Sequence, residues 1–335
     1  MATIGDVAQR AGVSASTVSY VLSGRRTISA PTKARVQAAI TELGYQPHAG
    51  ARALASSKTD IIALVAPLRE AVEVNVILQF VDGVVLAARD SNYDVLLITQ
   101  DETDGVDRVL QGSKADAIIA MDIAEDDPRL NSLAQATIPA VLIGRPHDSK
   151  GISCVDLDFE QAGVAAVSHL IELGHRNIGL LGAPVAVWER HTSFLERVLR
   201  GAHQTADRNK ATLTALPSPA DAPGAQESLQ QILEIDPSIS ALVVHNESAL
   251  PHVLSHLGNL GKKVPEDMAI VALCPRATAE NQLVPVTSID LPAVDIGRAA
   301  VELTLSLLDG SSQSQTRLLP AVVTKRGTSV PPKST

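Results

Sequence analysis

Within residues 2–56, the side chains able to do chemistry are hydroxyls and cations: Thr3, Ser14, Ser16, Thr17 and Tyr20, with Arg10, Arg25, Arg26, Lys33, Arg35 and Arg52. Such groups make hydrogen bonds and ion pairs. They suit a polyanion whose phosphates take arginine and whose base edges take short polar side chains. Bond-making constellations are not found. The chain has no GxGxxG after a strand, no GxxxxGK[ST], no HExxH and no GxSxG. Its nine histidines fall in no triad or metal spacing, and two cysteines, Cys154 and Cys274, are too few for a metal cage. No catalytic residue, no metal and no cofactor is expected.

The elements that must position the first group are short helices. Thr3 can cap a helix, with Asp6 as its capping-box partner, and Ile4, Val7, Ala8 and Ala11 fall at helical spacing. Ala11-Gly12-Val13 makes a turn. Ser14 caps a second helix, Ala15–Leu22, whose Val18, Val21 and Leu22 point inward and whose Ala15, Ser16, Thr17 and Tyr20 remain outside. Gly24 closes it. Pro31 opens a third helix with the stripe Val36, Ala39, Ile40 and Leu43, and Gly44 ends it. This is the spacing of a helix-turn-helix, whose second helix can enter a DNA major groove.

Charge supports that reading. Residues 1–58 carry seven Lys/Arg against two acids, a net +5, although the whole chain is −9, so the remainder holds −14. Attraction to phosphate is thereby concentrated at one end. A 45% hydrophobic, 19% charged composition describes a core-forming protein. No apolar run is long enough for a membrane helix, and the opening MATIGDVAQRAG is not a signal peptide. The expectation is a cytoplasmic protein with two reduced thiols and no membrane partner. Aromatics make up only 2%, so each one is worth locating.

Residues 3–55 resemble the lactose/galactose-repressor (LacI/GalR) family of bacterial transcription regulators. The carriers are Thr3-Ile4-x-Asp6-Val7-Ala8, Ala11-Gly12-Val13-Ser14, Thr17-Val18-Ser19, Val21-Leu22-x-Gly24, Leu43-Gly44-Tyr45-x-Pro47 and Ala51-Arg52-x-Leu54. The resemblance implies DNA contacts from Thr3, Ser14, Ala15, Ser16, Thr17, Tyr20, Arg26, Tyr45, Ala51 and Leu54. Tyrosine stands at 20 where many members have arginine, so the bidentate reading of guanine is lost there. It further implies that residues 48–56 form a hinge helix on DNA, with Leu54 as a minor-groove lever. The implied partners are a pseudo-palindromic double-stranded operator, a small-molecule effector and a second copy of the chain.

From Thr59 onward, apolar strands such as IIALVAP, ADAIIAM, NIGLLGAP and MAIVAL alternate with helical stretches. This α/β pattern predicts parallel sheets wound with helices on both faces, in two subdomains flanking a cleft. The expected organisation is a helix-turn-helix domain at 1–46, a hinge at 47–58, and an effector-binding and dimerisation domain at 59–335. By resemblance, this last region is periplasmic-binding-protein-like, with crossovers near residues 157, 288 and 317. The segment 216–224, LPSPADAPG, reads as an exposed turn-rich loop. His175, in a helix-to-strand turn, reads as structural.

For the effector pocket, the family's arginine position three residues before Gly201 holds Val198 here. Arg197 or Arg200 can substitute, with Arg197 preferred, Arg190 is a further candidate, and Asn246 after ALVVHN matches the family's pocket asparagine. The resemblance places Cys274 where an aspartate is frequent, and Trp188 substitutes for a missing aromatic wall. A sugar or nucleoside-like effector is the expected ligand class, with a phosphorylated metabolite held by arginines, or a pocket that has lost small-ligand binding, also open. A different class of function is open as well: an α/β ligand-binding or enzymatic protein whose head binds other proteins.

Overall fold

The computed structural model describes residues 2–23, 26–45, 58–69, 73–100 and 103–333. Gly24, Arg25 and the hinge, with Ala51 and Leu54, lie outside them. The head is three helices, α1 (Ile4–Ala11), α2 (Ala15–Ser23) and α3 (Ala30–Leu43). Thr3 and Asp6 form the expected reciprocal cap: the Asp6 amide donates to Thr3 Oγ1 at 3.3 Å, and the Thr3 amide donates to Asp6 Oδ2 at 2.8 Å. Gly12 and Gly44 end α1 and α3 in the left-handed region (φ 64° and 56°), which glycine enters without steric cost. Val7, Ala8, Ala11, Val18, Val36, Ala39 and Tyr45 form the core, with Ile4, Val21, Leu22, Ile40 and Leu43 packed against it.

The rest of the chain builds two six-stranded sheets. The strands are β1 (Ile61–Val65), β2 (Asp94–Ile98), β3 (Ala117–Met121), β4 (Ala140–Ile143), β5 (Ser153–Leu157), β6 (Asn177–Gly182), β7 (Thr212–Pro217), β8 (Ala241–Val244), β9 (Ala269–Cys274), β10 (Thr287–Asp290), β11 (Thr316–Leu319) and β12 (Val323–Thr324). One sheet has the order β11-β5-β4-β3-β1-β2 and the other β12-β10-β9-β8-β6-β7. All pairs are parallel except β10 with β12. The central strands are buried on both faces, which explains why they read as unbroken apolar runs.

The connecting helices are α4 (Val74–Asp90), α5 (Thr103–Gln111), α6 (Leu130–Ala134), α7 (Phe159–Glu172), α8 (Val185–Glu189), α9 (Ser193–Arg208), α10 (Ala222–Ile235), α11 (Leu250–Asn259), α12 (Arg276–Glu280) and α13 (Ala293–Leu308). The chain crosses between subdomains after Leu157, after Asp290 and after Leu319, within a few residues of the expected positions. Two crossovers deliver a helix to the opposite side. α7 follows a strand of the first sheet but packs on α9 in the second subdomain, and α13 follows a strand of the second sheet but packs on α4 in the first.

Glycines allow both dockings. A Cβ on Gly163 of α7 would meet the Val198 carbonyl oxygen at 2.2 Å, and one on Gly201 of α9 the Glu160 carbonyl at 2.1 Å. Gly83 of α4 and Gly297 of α13 approach the Val294 and Phe80 carbonyls in the same way, at 2.1 and 2.4 Å. Gly201 thus serves helix packing.

The 216–224 segment differs from its reading as an exposed loop. It begins as the end of β7, Ser218 is fully buried, and Asp221 then caps α10. Its prolines end an edge strand and start a helix, so turn-rich composition here marks a strand-to-helix junction rather than a free loop. His175 is structural as expected: Nδ1 meets Ser240 Oγ at 2.8 Å and Nε2 meets the Val330 carbonyl at 2.9 Å. Both cysteines are buried free thiols.

Candidate DNA-reading face and effector cavity

On the head, Ser14 Oγ accepts from the Thr17 amide at 3.2 Å and lies 2.8 Å from Ser16 Oγ and 2.9 Å from Thr17 Oγ1. This cap fixes the start of α2. Ala15, Ser16 and Tyr20 are exposed on its outer face, with Thr17 half-buried beside them. The Arg26 guanidinium lies over the Tyr20 ring, 5.8 Å from its centre. Tyrosine and arginine therefore form one exposed unit, a cation–π contact that the sequence alone did not suggest. Tyr45 is different: only 7% exposed, its ring completes the small core and presents little surface to a duplex.

A cavity of about 230 Å³ lies between the two sheets. Its first wall comes from Glu73 and α4 (Val76, Ile77, Phe80), the β3–β4 ends (Met121 to Ile123, Ile143, Gly144), Asp156 and Phe159. The opposite wall comes from Ala183, Pro184, Val187, Arg190, Ser193, Phe194, Ala220 and the loop His245–Ser248, with Leu273 and Leu291. All three phenylalanines of the chain, Phe80, Phe159 and Phe194, are in it. Phe159 and Phe194 are tilted at 43° with centres 5.6 Å apart, and the His245 ring meets Phe194 edge-on at 5.7 Å. Their scarcity in the sequence was the signal that could have located them.

Polar groups close the cleft. Asp122, at φ 56°, sits between Arg69 from its own subdomain and Arg190 Nη2 from the other, the latter at 3.4 Å. Asp tolerates this left-handed backbone better than most residues. Beside it, Ala124 and Thr192 pair across the cleft, Ser193 N donates to the Ile123 carbonyl at 3.0 Å, and Glu125 N donates to the His191 carbonyl at 2.9 Å. The Ser248 hydroxyl donates to Glu73 Oε2, and this hydrogen bond holds the Glu73 carboxyl below its usual range.

At the crossover side, Asp156 ion-pairs with Arg197. Burial pushes the Asp156 carboxyl up to about 6, against the opposing pull of Arg197. Burial likewise pushes His245 down to about 4, so its imidazole is neutral at pH 7. Glu247 is pushed up to about 7 by burial, with the Glu73 charge adding to the effect.

Of the five effector residues expected from sequence, Arg190 and Asn246 line the cavity. Arg197 is close but does not line it. It is 2% exposed, donates to the Ser193 carbonyl at 3.0 Å, and covers the Phe159 ring from behind at 5.3 Å. Trp188 lies under the end of β6, where a Cβ on Gly182 would be 2.8 Å from its ring. Cys274 faces the apolar cluster on the far side of its sheet, while its neighbour Leu273 faces the cavity. Strand alternation puts successive residues on opposite faces, which separates these two. Among the described residues no three His, Cys, Asp or Glu side chains gather to hold a metal, and no helix is long and apolar enough to cross a membrane.

Comparison with known proteins agrees with this layout. Residues 3–48 match bacterial regulatory proteins of the lacI family, and residues 167–329 match the periplasmic binding protein-like domain. The HTH-type transcriptional regulator CelR of Thermobifida fusca is 29% identical, with 95% of each chain covered. A solved CelR–cellobiose complex is 25% identical with a TM-score of 0.68, covering 98% of this chain and 100% of that one. The lac repressor dimer bound to operator and the anti-inducer ONPF is 23% identical with a TM-score of 0.82, covering 98% and 99%. That likeness is one of fold. A capped helix-turn-helix joined to a two-sheet ligand domain, matched along nearly its whole length by HTH-type regulators, places this chain in the lacI family of bacterial transcriptional regulators, DNA-binding proteins that respond to an effector.

Proposed function

We propose that the chain is a homodimeric repressor that binds a pseudo-palindromic operator and changes its grip when a small carbohydrate occupies the cavity between the sheets. The observation that carries the ligand class is the cavity itself. Its three phenylalanines offer flat faces to the CH surface of a sugar ring, and Glu73, Asp122, Arg190, His245 and Glu247 offer hydrogen bonds at its rim. At about 230 Å³ it takes a compact ligand of one or two rings. Arg69, Arg190 and Arg197 already face carboxylates. A phosphorylated metabolite would have to compete for them, so we set that class aside. The cellobiose bound to the related CelR supports a carbohydrate here.

In this reading residues 1–46 read DNA, 47–58 are the hinge, and 59–335 bind effector and the second subunit. Ala15, Ser16 and Tyr20 meet base edges, while Thr3, Ser14, Thr17 and Arg26 position the helix on phosphate. Ala51 and Leu54 act from the hinge in the minor groove. The dimer face is the outer side of α4 with the edge strand β2, where Val74, Leu78, Val85, Leu96 and Leu97 are exposed together with Leu68. An apolar patch beside an unpaired strand edge is a surface that a second copy can cover.

The test is selection of bound fragments from random DNA by the full-length protein, repeated with cellobiose and other small sugars. The expected result is one short palindrome whose affinity falls steeply with salt and shifts with one of the sugars. Absence of any enriched sequence in all arms overturns the reading, as does a protein that sediments as a monomer while bound to the palindrome.

A further inference from the structure

The loop after β8, His245-Asn246-Glu247-Ser248, contributes four successive residues to the cavity wall. Asn246 is occupied by the loop itself and by the segment after β7. Its amide donates to the Ser218 carbonyl at 2.7 Å, and its Oδ1 accepts from the Ser248 amide at 3.1 Å and the Ala249 amide at 3.4 Å. The side chain that the family resemblance selects as a ligand contact therefore pins the loop, and the residues on either side of it are left facing the cavity.

Those two are the unanswered groups of the wall. His245 is 5% exposed, and among the described residues neither ring nitrogen has a hydrogen-bond partner; Nδ1 is fully buried. Buried polar atoms are nearly always paired, so a bare imidazole beside an aromatic shelf points to a partner brought in by a ligand. Among the described residues Glu247 is one of two wall carboxylates with no salt bridge, and the other, Glu73, is already hydrogen-bonded. Asp122 has Arg69 and Arg190, Asp156 has Arg197, and Glu73 is held by Ser248 Oγ and the Asn75 amide at 3.1 Å. Among the described residues Glu247 forms no salt bridge, and its nearest charged neighbour across the cleft is another carboxylate, Glu73. Two carboxylates, Glu73 and Glu247, thus face the cavity with no cation paired to them among the described residues, and Glu247, the one not already hydrogen-bonded across the cleft, sits two residues from the imidazole.

Building on the carbohydrate reading above, we infer that the effector is a cyclic polyol bearing an amino group: its ring lies on Phe159 and Phe194, one hydroxyl bonds His245, and its ammonium pairs with Glu247. A carboxylate in a partly dry cavity favours a cation strongly, because there is little water to screen the pair. An anionic ligand would meet two carboxylates at the same end.

The experiment is isothermal titration calorimetry of the full-length protein with two pairs of ligands that differ only in the amine: glucosamine against glucose, and the glucosamine disaccharide against cellobiose. The expected result is at least tenfold tighter binding of the amine in one pair, with the ratio falling to near unity in Glu247→Gln. His245→Phe weakens both members of that pair. If the neutral sugars bind as tightly as the amines, or if the ratio survives Glu247→Gln, the amine inference is overturned and the carbohydrate reading stands. If none of the four binds, both fall. The comparison within the unmodified protein decides the matter even if a variant fails to fold.

Discussion

The two subdomains share one plan and differ in what they leave uncovered. Each is a six-stranded sheet carrying a helix pair closed by glycines, α4 with α13 in the first and α7 with α9 in the second. In each pair, one helix has crossed from the other side. Yet the outer face of α4 shows Val74, Leu78 and Val85, while that of α9 shows Arg200, His203, Gln204, Asp207 and Arg208. Beneath equal packing, the first subdomain shows an apolar outer surface, the proposed dimer face, and the second a charged one. The same asymmetry holds at the cleft. The first subdomain's Asp122 and Asp156 are ion-paired, whereas the second supplies His245 and Glu247, which have no such partner among the described residues. In the proposed reading, association and ligand reading are divided between halves built alike.

The largest expected effect separates the two ion pairs that bridge those halves. Arg197→Ala leaves Asp156 buried without its partner and should cost about 3–5 kcal/mol. Arg190→Ala should cost about 1 kcal/mol or less, because it is partly exposed and Asp122 keeps Arg69. Urea denaturation of both variants measures the gap; equal losses would mean that the mouth of the cleft holds the halves together as firmly as the crossover does.

Next in size is a pH effect from the second subdomain. Burial holds His245 down at about 4, below the roughly 6.5 of an unfolded histidine. As pH falls through that window the unfolded chain takes a proton that the folded chain refuses, so stability is lost; above about 6.5 the effect vanishes. Asp156 and Glu247, pushed up to about 6 and about 7, act in the opposite sense, costing stability as pH rises from about 4 toward those values. His245→Phe should therefore gain roughly 3 kcal/mol relative to the unmodified protein between pH 7 and pH 4. A difference that stays constant across this range would show that the buried ring is not the acid-sensitive group.

Smallest are the glycine contacts, each worth about 1–3 kcal/mol when overpacked by alanine. Gly83→Ala and Gly201→Ala should lose similar stability, since both drive a Cβ against a backbone carbonyl at 2.1 Å. They should differ in assembly. Sedimentation should show Gly83→Ala loosening the dimer, because α4 carries its face, while Gly201→Ala leaves it intact. Dissociation of both would erase the proposed division of labour.

The head was legible residue by residue because its signals are local: a Thr–Asp box, a glycine at each left-handed end and apolar residues at helical spacing. The crossovers were legible to within a few residues because apolar strands announce themselves. The cavity was not, because its wall is assembled from segments between Glu73 and Leu291, and no periodicity links Phe80 to Phe194. Arg197 and Cys274 stand where resemblance expects ligand contacts, but packing turns one behind Phe159 and the other to the far face of its sheet. Tyr45, which the motif assigns to DNA, lies in the small core of the head. Asn246 lies in the wall, where its hydrogen bonds hold the loop.

Trp188 is the one tryptophan in the chain, and it sits just behind the wall residue Val187 with an indole N–H that is buried and has no acceptor among the described residues. The ultraviolet emission of the whole chain therefore carries the signature of a single location beside the cleft. Water reaching that N–H, were the halves to part, would move the emission to longer wavelength, so the protein carries its own optical gauge of any change beside the cleft, with no label attached.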